Sequence, residues 1–499
     1  MTEKPQIIYI HPAKQGVGFP FADPRHSYLT PFTLLPAGVT GLVNLLRREG
    51  LSVRGVNYPS ESFITPGFGL TEWLRHVGTP RLALIDLHWY EHSFGALDVA
   101  RVCKQTLPGT SVIVGGMTAS LYAREILDGF PYVDYVIRGD AEEPLRQLAL
   151  QFCSGDVHAR NLQSVPNLSY RAQSEVIENE LSYHTPAEDM DRLDLINTEY
   201  LDHARHYHGF QYVGRRGTFL PSEGSPVLGH WLSIGRGCVY DCSYCGGGHE
   251  SHRLIAGRPG LVMRSVSAVV DNLEELRDRG IHQAALTLDP VIAGRAYWGE
   301  LFAQMSQRHL RIGLYVELFQ LPPAEFVEAF AECVDLKHSE LSLSALSGDE
   351  RVRRRHGKAY SNAELLGSVH AMKRQRIPLS IYYSFNLPGQ DEAAMRKTLF
   401  LSESIARAVP PHQLLMYNQP HTLDPCSPMS RTPEEFGIEV RLHSFPDSYE
   451  YCRLTAVEYP GVLGTTGRGF TWPGRSQEME RRMQQAWIAF ARAQKFPCG

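Results

Sequence analysis

Two successive series of short apolar runs, each run separated from the next by a helical stretch, leave this chain few folds to adopt. In the first series Gln6–Ile10, Leu51–Val56, Arg81–Leu87, Ser111–Val114 and Tyr132–Ile137 read as strands. Thr33–Glu49 (closed by Gly50), Phe94–Gln105 and Thr118–Leu127 read as helices. Strands that are apolar along their whole length are covered on both faces, and helical crossovers make them parallel. The expected unit is a doubly wound, Rossmann-like α/β domain over residues 1–150, which binds ligands at the carboxyl ends of its strands.

In the second series Trp231–Ile234, Gln283–Leu288, Ile312–Val316, Ser339–Leu343, Pro378–Ser384 and Gln413–Tyr417 read as strands with helices between them. Six such units predict a partial, open (β/α)6 barrel over 231–420, with its active site at the carboxyl ends of the strands. Between the two series, over 151–230, Pro166, Pro186, Pro221 and Pro226 break the regularity, and a wrapping linker is expected. Its His203, His206 and His208 read as a polar loop rather than a metal site. A small C-terminal segment, 421–499, ends in a helix over Ser476–Lys495.

Composition narrows the class. The 499 residues carry 49 Lys+Arg against 54 Asp+Glu, a net charge of −5, which argues against a polybasic nucleic-acid binder. The longest apolar runs fall short of the ~18 residues of a membrane span. The run Ile7–Ile10 near the start is too short for a secretory signal, so the expected compartment is the cytoplasm, where thiols stay reduced. Nine cysteines, an odd number, make a poor disulfide framework. Cys103, Cys153, Cys333, Cys426, Cys452 and Cys498 are scattered and read as small buried hydrophobes.

The other three are not scattered. Cys238, Cys242 and Cys245 stand in the run Gly235-Arg236-Gly237-Cys238-Val239-Tyr240-Asp241-Cys242-Ser243-Tyr244-Cys245, directly after the first barrel strand. Three thiolates on one short loop can hold three corners of a cubane iron–sulfur cluster and leave one iron open. With His249 they could instead complete a zinc site.

The cysteine motif, with an aromatic residue before its last cysteine, resembles the radical S-adenosylmethionine (SAM) superfamily. The resemblance implies that Cys238, Cys242 and Cys245 ligate a 4Fe–4S cluster, with Tyr244 beside it and SAM chelating the open iron. Glu340–Gly348 resembles the fourth-strand segment that holds SAM, through Ser344. Phe385-Asn386-Leu387-Pro388-Gly389 resembles the Gly-Leu-Pro-Gly turn after the fifth strand, which points to Asn386. Thr287-Leu288-Asp289 stands where the family has Gly-Gly-Glu, and Asp289 is the acid left to hold the SAM amine. For each of these the alternative is a strand-end polar residue that caps the next helix.

In the first domain Asp86-Leu87-His88-Trp89, Val114-Gly115-Gly116-Met117-Thr118 and Val136–Leu145 resemble the cobalamin-binding domain of cobalamin-dependent radical SAM proteins. This implies His88, Gly115, Gly116 and Thr118 near the cobalamin. The double glycine lets backbone approach a bulky ligand, or makes a simple strand-to-helix turn. His88 follows the third strand and Glu91 stands where the cobalt-ligating motif has Gly, so His88 is expected to pack beside the corrin rather than ligate it. The basic run Arg351, Arg353, Arg354, Arg355 and His356 reads as a solvated helix face. Cys426 reads either as a hydrogen-atom donor or substrate contact at the barrel mouth or as an inert buried thiol.

The resemblance implies reductive cleavage of SAM to methionine and a 5′-deoxyadenosyl radical, followed by methylation of an unactivated carbon through methylcobalamin. It implies a small-molecule substrate and an electron donor such as flavodoxin or ferredoxin, and neither nucleic acid nor membrane as partner. A rearrangement or cyclisation without methyl transfer is the alternative within enzymes. A non-catalytic cobalamin or iron–sulfur sensor would need an output module, and none is legible. A zinc-stabilised interaction protein would hold zinc and no iron.

Overall fold

In the computed structural model of the protein, β1 (Ile7–His11), β2 (Val53–Asn57), β3 (Leu82–Asp86), β4 (Ser111–Gly115) and β5 (Tyr135–Ile137) form a parallel sheet in the order 2-1-3-4-5. The structure describes residues 4–18, 33–155, 159–213, 227–455 and 469–496. Pro221, Pro226 and Cys498 lie outside them. The two-residue period of a strand gives the sheet two cores. Ile8, Ile10, Ala83, Ile85, Val112 and Val114 pack on Leu97 and Ala100 of one helical layer. Ile7, Tyr9, Leu82, Leu84 and Ile113 pack on Val43, Leu46, Leu145 and Leu148 of the other. The strand order reverses between β1 and β3, where such sheets open a crevice at the strand ends.

The sheet continues past residue 150. β6 (Leu168–Ala172) pairs antiparallel with β5, and β7 (Glu175–Glu178) pairs antiparallel with β6, so part of the expected linker is a sheet-edge hairpin. Its turn uses Gln173 at φ 56°, a conformation that the residue type does not advertise. Two other expectations are corrected nearby. The helix read from Thr33 starts at Val39, and Pro36 forms the turn before it. The histidine group is not a loop. Ala204–Phe210 is helical, His203 pairs with Glu61 at 2.9 Å, and His208 Nδ1 donates to the Gly229 carbonyl.

The second sheet starts with β8 (Gly229–Leu232). A short ladder of β9 (Gly235–Arg236) and β10 (Val262–Met263) flanks the cysteine loop. β11 (Gln283–Leu286), β12 (Gly313–Leu318), β13 (Glu340–Leu346), β14 (Leu379–Tyr383) and β15 (Leu414–Asn418) follow. All six strands of the order β8-β11-β12-β13-β14-β15 are parallel, with β8 and β15 as open edges. Leu286, Val316, Leu343 and Ile381 face outward onto Leu273, Leu301, Phe326 and Val369 of the helical layer.

The C-terminal segment ties the two units together. The helix Phe445–Thr455 buries Phe445 in the first domain's core, and the Phe445 N–H donates to Glu125 at 2.6 Å. The helix Gln477–Gln494 packs Trp487 against the barrel core. Among the described residues no helix is long and apolar enough to cross a membrane.

Candidate active site

The carboxyl ends of both sheets open on one cavity of about 650 Å³. Cys238, Cys242 and Cys245 line it from the barrel side, and His88, Gly115 and Gly116 from the other.

Local backbone geometry builds the cysteine loop. Gly237 has φ +92° and a Cβ there would lie 2.4 Å from the Gly260 carbonyl, so only glycine fits before Cys238. The Tyr240 N–H donates to Cys238 Sγ and the Gly247 N–H to Cys245 Sγ, each at 3.4 Å. The Gly246 N–H donates to Asp424 at 3.1 Å, which anchors the loop's end to the segment after β15. Ser243 donates to His356 Nδ1 at 2.6 Å, and His356 Nε2 donates to the Pro388 carbonyl at 2.9 Å. A Cβ on Gly357 would sit 3.2 Å from Cys242 Sγ, so the segment after the basic helix presses on the loop. Burial pushes the Cys245 thiol up to about 12 and raises Cys238, a penalty on the thiolate that bound iron would offset. Backbone N–H donors aimed at sulfur fit a cluster ligand set. His249 opens the helix His249–Ala256, and among the described residues no His/Cys/Asp/Glu group is gathered for a single metal ion.

The SAM-directed residues divide. Tyr244 and Ser344 line the cavity, and the Tyr244 ring packs tilted by 31° against His421 with centroids 4.4 Å apart. Asp289 is buried, and its carboxylate accepts from the Val291 and Phe319 N–H groups, both at 2.8 Å. Burial raises its pKa to about 6, with those two bonds opposing. Asn386 is also buried, and exchanges two hydrogen bonds with the His421 backbone. Thr287 and Leu288, not Asp289, line the cavity at that strand end.

On the first domain's side Gly116 has φ +113°, and a Cβ there would lie 2.8 Å from His88 Cα. Gly115 meets nothing closer than 3.7 Å. Thr118 donates to the His88 carbonyl at 2.9 Å, so it shapes the loop that carries His88. Burial lowers the His88 pKa and keeps the imidazole neutral near pH 7.

Several site residues were missed in the sequence. Arg236 reaches from the barrel to Asp140 at 2.9 Å and also pairs with Glu142, and Arg258 pairs with Asp140. All four line the cavity. Glu317 and Lys358 line its barrel side, and Lys358 donates to the Phe319 carbonyl at 2.6 Å. The solvated-face reading holds for Arg351, Arg354 and Arg355 but not for Arg353 or His356, which are buried. Arg353 donates to the carbonyls of Ala345, Tyr360 and Ser347, buried oxygens that need donors. Cys426 has φ 62° and a half-buried side chain, and its carbonyl accepts from Ser251 at 2.8 Å.

Comparison with known proteins agrees with this geometry. Residues 232–401 match the radical SAM superfamily model. The hopanoid C-3 methylase of Methylococcus capsulatus is 26% identical over 288 residues, 57% of this chain and 48% of that protein. A tRNA-2-methylthio-N(6)-dimethylallyladenosine synthase of Pelobacter propionicus is 26% identical over 200 residues, 38% of this chain and 43% of its own. The chain thus spans about half the length of the curated relatives it matches. The radical SAM methyltransferase TsrM of Kitasatospora setae, solved with cobalamin and a 4Fe–4S cluster bound, superposes with a TM-score of 0.63 at 16% identity, over 98% of this chain and 89% of that one. The cobalamin-dependent SAM radical enzyme OxsB superposes at 0.56 and 13% identity, over 99% of this chain and 62% of that one. Residues 232–401 thus match the radical SAM superfamily, and the chain as a whole shares the fold of TsrM and OxsB.

Proposed function

We propose that this chain is a cobalamin-dependent radical SAM enzyme that methylates an unactivated carbon of a small-molecule substrate. The observation that carries the reading is the shared cavity, in which three cysteines of the barrel face the glycine-rich strand ends of the first domain. When bound there, the 4Fe–4S cluster and SAM supply the 5′-deoxyadenosyl radical and methylcobalamin supplies the methyl group.

The chain's own part is to bind, orient and enclose. Cys238, Cys242 and Cys245 hold the cluster, and the Tyr240 and Gly247 N–H groups steady two of the thiolates. Lys358, whose ammonium donates to the Phe319 carbonyl, lines the same cavity and would offer a cation to the SAM carboxylate. Ser344 and Tyr244 line the SAM side. Asp289 and Asn386 hold the strand-end loops in place rather than touch SAM. Gly115 and Gly116 let the backbone approach the corrin, and Thr118 sets the His88 loop beside it. The Arg236 pairs close the wall between the domains, and the apolar residues Leu35, Val39 and Leu42 complete the enclosure against water.

An electron donor such as flavodoxin or ferredoxin serves the cluster, in the cytoplasm. The substrate is a small molecule rather than RNA, since the chain's net charge is −5. Protein reconstituted anaerobically with iron, sulfide and hydroxocobalamin, then given SAM and a reductant, tests the reading. Release of both 5′-deoxyadenosine and S-adenosylhomocysteine is expected. 5′-Deoxyadenosine alone points to rearrangement or cyclisation, and neither product refutes the proposal.

A further inference from the structure

Glu317 projects from β12 into the barrel lumen, deep in the fold, and its side chain is accessible from the cavity. The other carboxylates that line this cavity are held by partners. Asp140 and Glu142 pair with Arg236, and Asp86 accepts from Tyr9 at 2.7 Å and pairs with His11 at 3.0 Å. Glu317 accepts from the Tyr315 hydroxyl at 2.9 Å. Among the described residues no cation stands within ion-pairing distance of it. Lys358 reaches the Phe319 carbonyl instead.

The surroundings favour positive charge. Strand register sets Ser342 beside Glu317 and Ser380 beside Ser342. One layer above, Ser344 pairs with Tyr382 and Tyr382 with Tyr417. The two tyrosine rings are half-buried and stacked, with centroids 4.8 Å apart and planes 15° from parallel. One layer below, the buried Glu340 accepts from Ser380. The Glu317 carboxylate and the aromatic faces in one lumen make a negative potential that a cation relieves. Burial raises the Glu317 pKa while Tyr315 and Lys358 lower it, so a cationic partner would also keep it ionised.

We propose that Glu317 recognises a protonated amine on the substrate, with the Tyr382–Tyr417 pair flanking it. The substrate class is then a small molecule that carries an ammonium group. This rests on the reading of the cavity as the reaction site.

The test uses protein reconstituted with iron, sulfide and hydroxocobalamin and saturated with SAM. It is titrated calorimetrically at neutral pH with 2-phenylethylamine, tryptamine and hexylamine, each against its neutral alcohol: 2-phenylethanol, tryptophol and hexan-1-ol. At least one amine is expected to bind about ten-fold tighter than its alcohol, a difference of ~1.4 kcal/mol. Glu317→Gln keeps the shape and the acceptor for Tyr315, and should abolish the preference, while Glu317→Asp should retain part of it. Absence of preference in every pair, or its survival in Glu317→Gln, overturns the proposal. A roughly ten-fold loss of SAM affinity in Glu317→Gln with the amine preference intact also overturns it, because the carboxylate then serves SAM's own ammonium. Failure of the reaction-site reading shows separately, as absent cluster absorbance or SAM binding. The amine titration can be repeated on protein without cluster.

Discussion

Arg236 stands two residues before Cys238 and donates to Asp140 at 2.9 Å and to Glu142, both on the other domain. The cysteine loop and the strand-end crevice of the first domain are therefore joined by one guanidinium. Arg236 is mostly buried and both carboxylates are nearly fully so, a setting in which removal of one partner is costly. Burial pushes the Glu142 carboxyl up, but Arg236 and Thr185 outweigh it and hold its pKa below the ordinary value.

Arg236→Met should destabilise the protein by about 3–5 kcal/mol in urea unfolding at pH 7, since it strands Glu142. Arg236→Met with Glu142→Gln should recover part of that loss, because no unpaired charge then remains at Glu142. A depressed carboxyl contributes stability above its unfolded pKa and loses it as pH falls through the folded one. The difference between wild type and Arg236→Met should therefore shrink below about pH 4.5. A loss under about 1 kcal/mol at pH 7 would mean the pair behaves as an exposed one.

The two adjacent glycines should respond differently. Gly116→Ala places a methyl 2.8 Å from the His88 backbone at φ +113°, and should abolish cobalamin binding and lower the melting temperature. Gly115→Ala meets only the Ile137 carbonyl at 3.7 Å and should change either little. Equal behaviour of the two variants would contradict the close approach of β4's end to His88.

Asp289→Asn should separate a loop anchor from a SAM ligand. The amide keeps one acceptor for the two backbone N–H groups, so a stability loss of about 1 kcal/mol is expected. SAM affinity in the reconstituted protein should stay within about two-fold of wild type. A ten-fold weaker SAM titration with unchanged stability would return Asp289 to the SAM amine.

His230 is 2% exposed and its ring bonds to the Leu195 carbonyl at 2.9 Å. Burial, with the neighbouring His208, lowers its pKa to about 3. The folded state thus binds fewer protons than the unfolded one, and stability rises with pH across that window. Between about pH 6.5 and 3 the His230 contribution is lost at about 1.4 kcal/mol per pH unit as pH falls. His230→Asn should flatten that slope in urea titrations between pH 7 and 5. An unchanged slope would show that His230 does not control it.

The parts of this site that were legible in the sequence are those written in local spacing. The parallel strands followed from apolar runs between helices, and the cysteine loop from three thiols directly after one of them. The β6–β7 hairpin was not legible, because its strands are short, half polar and at a sheet edge. Arg236 and Asp140 are 96 positions apart, and no local pattern announces such a pair. Glu317 and Lys358 were missed because their position depends on barrel register and on the turn after the basic helix, not on composition. Asp289 and Asn386 stand where the family motifs have Glu and Gly, and backbone N–H and carbonyl groups of the neighbouring loops take up their side chains.

Metal and sulfide analysis of anaerobically reconstituted protein tests the central claim most directly, read with electron paramagnetic resonance before and after SAM is added. Wild type should hold about four iron and four sulfide per chain, with no zinc, and SAM should shift the signal of the reduced cluster. The Cys238→Ala/Cys242→Ala/Cys245→Ala variant should hold neither iron nor sulfide and still bind cobalamin. Stoichiometric zinc without iron in wild type, or a cluster retained by the triple variant, would contradict the account.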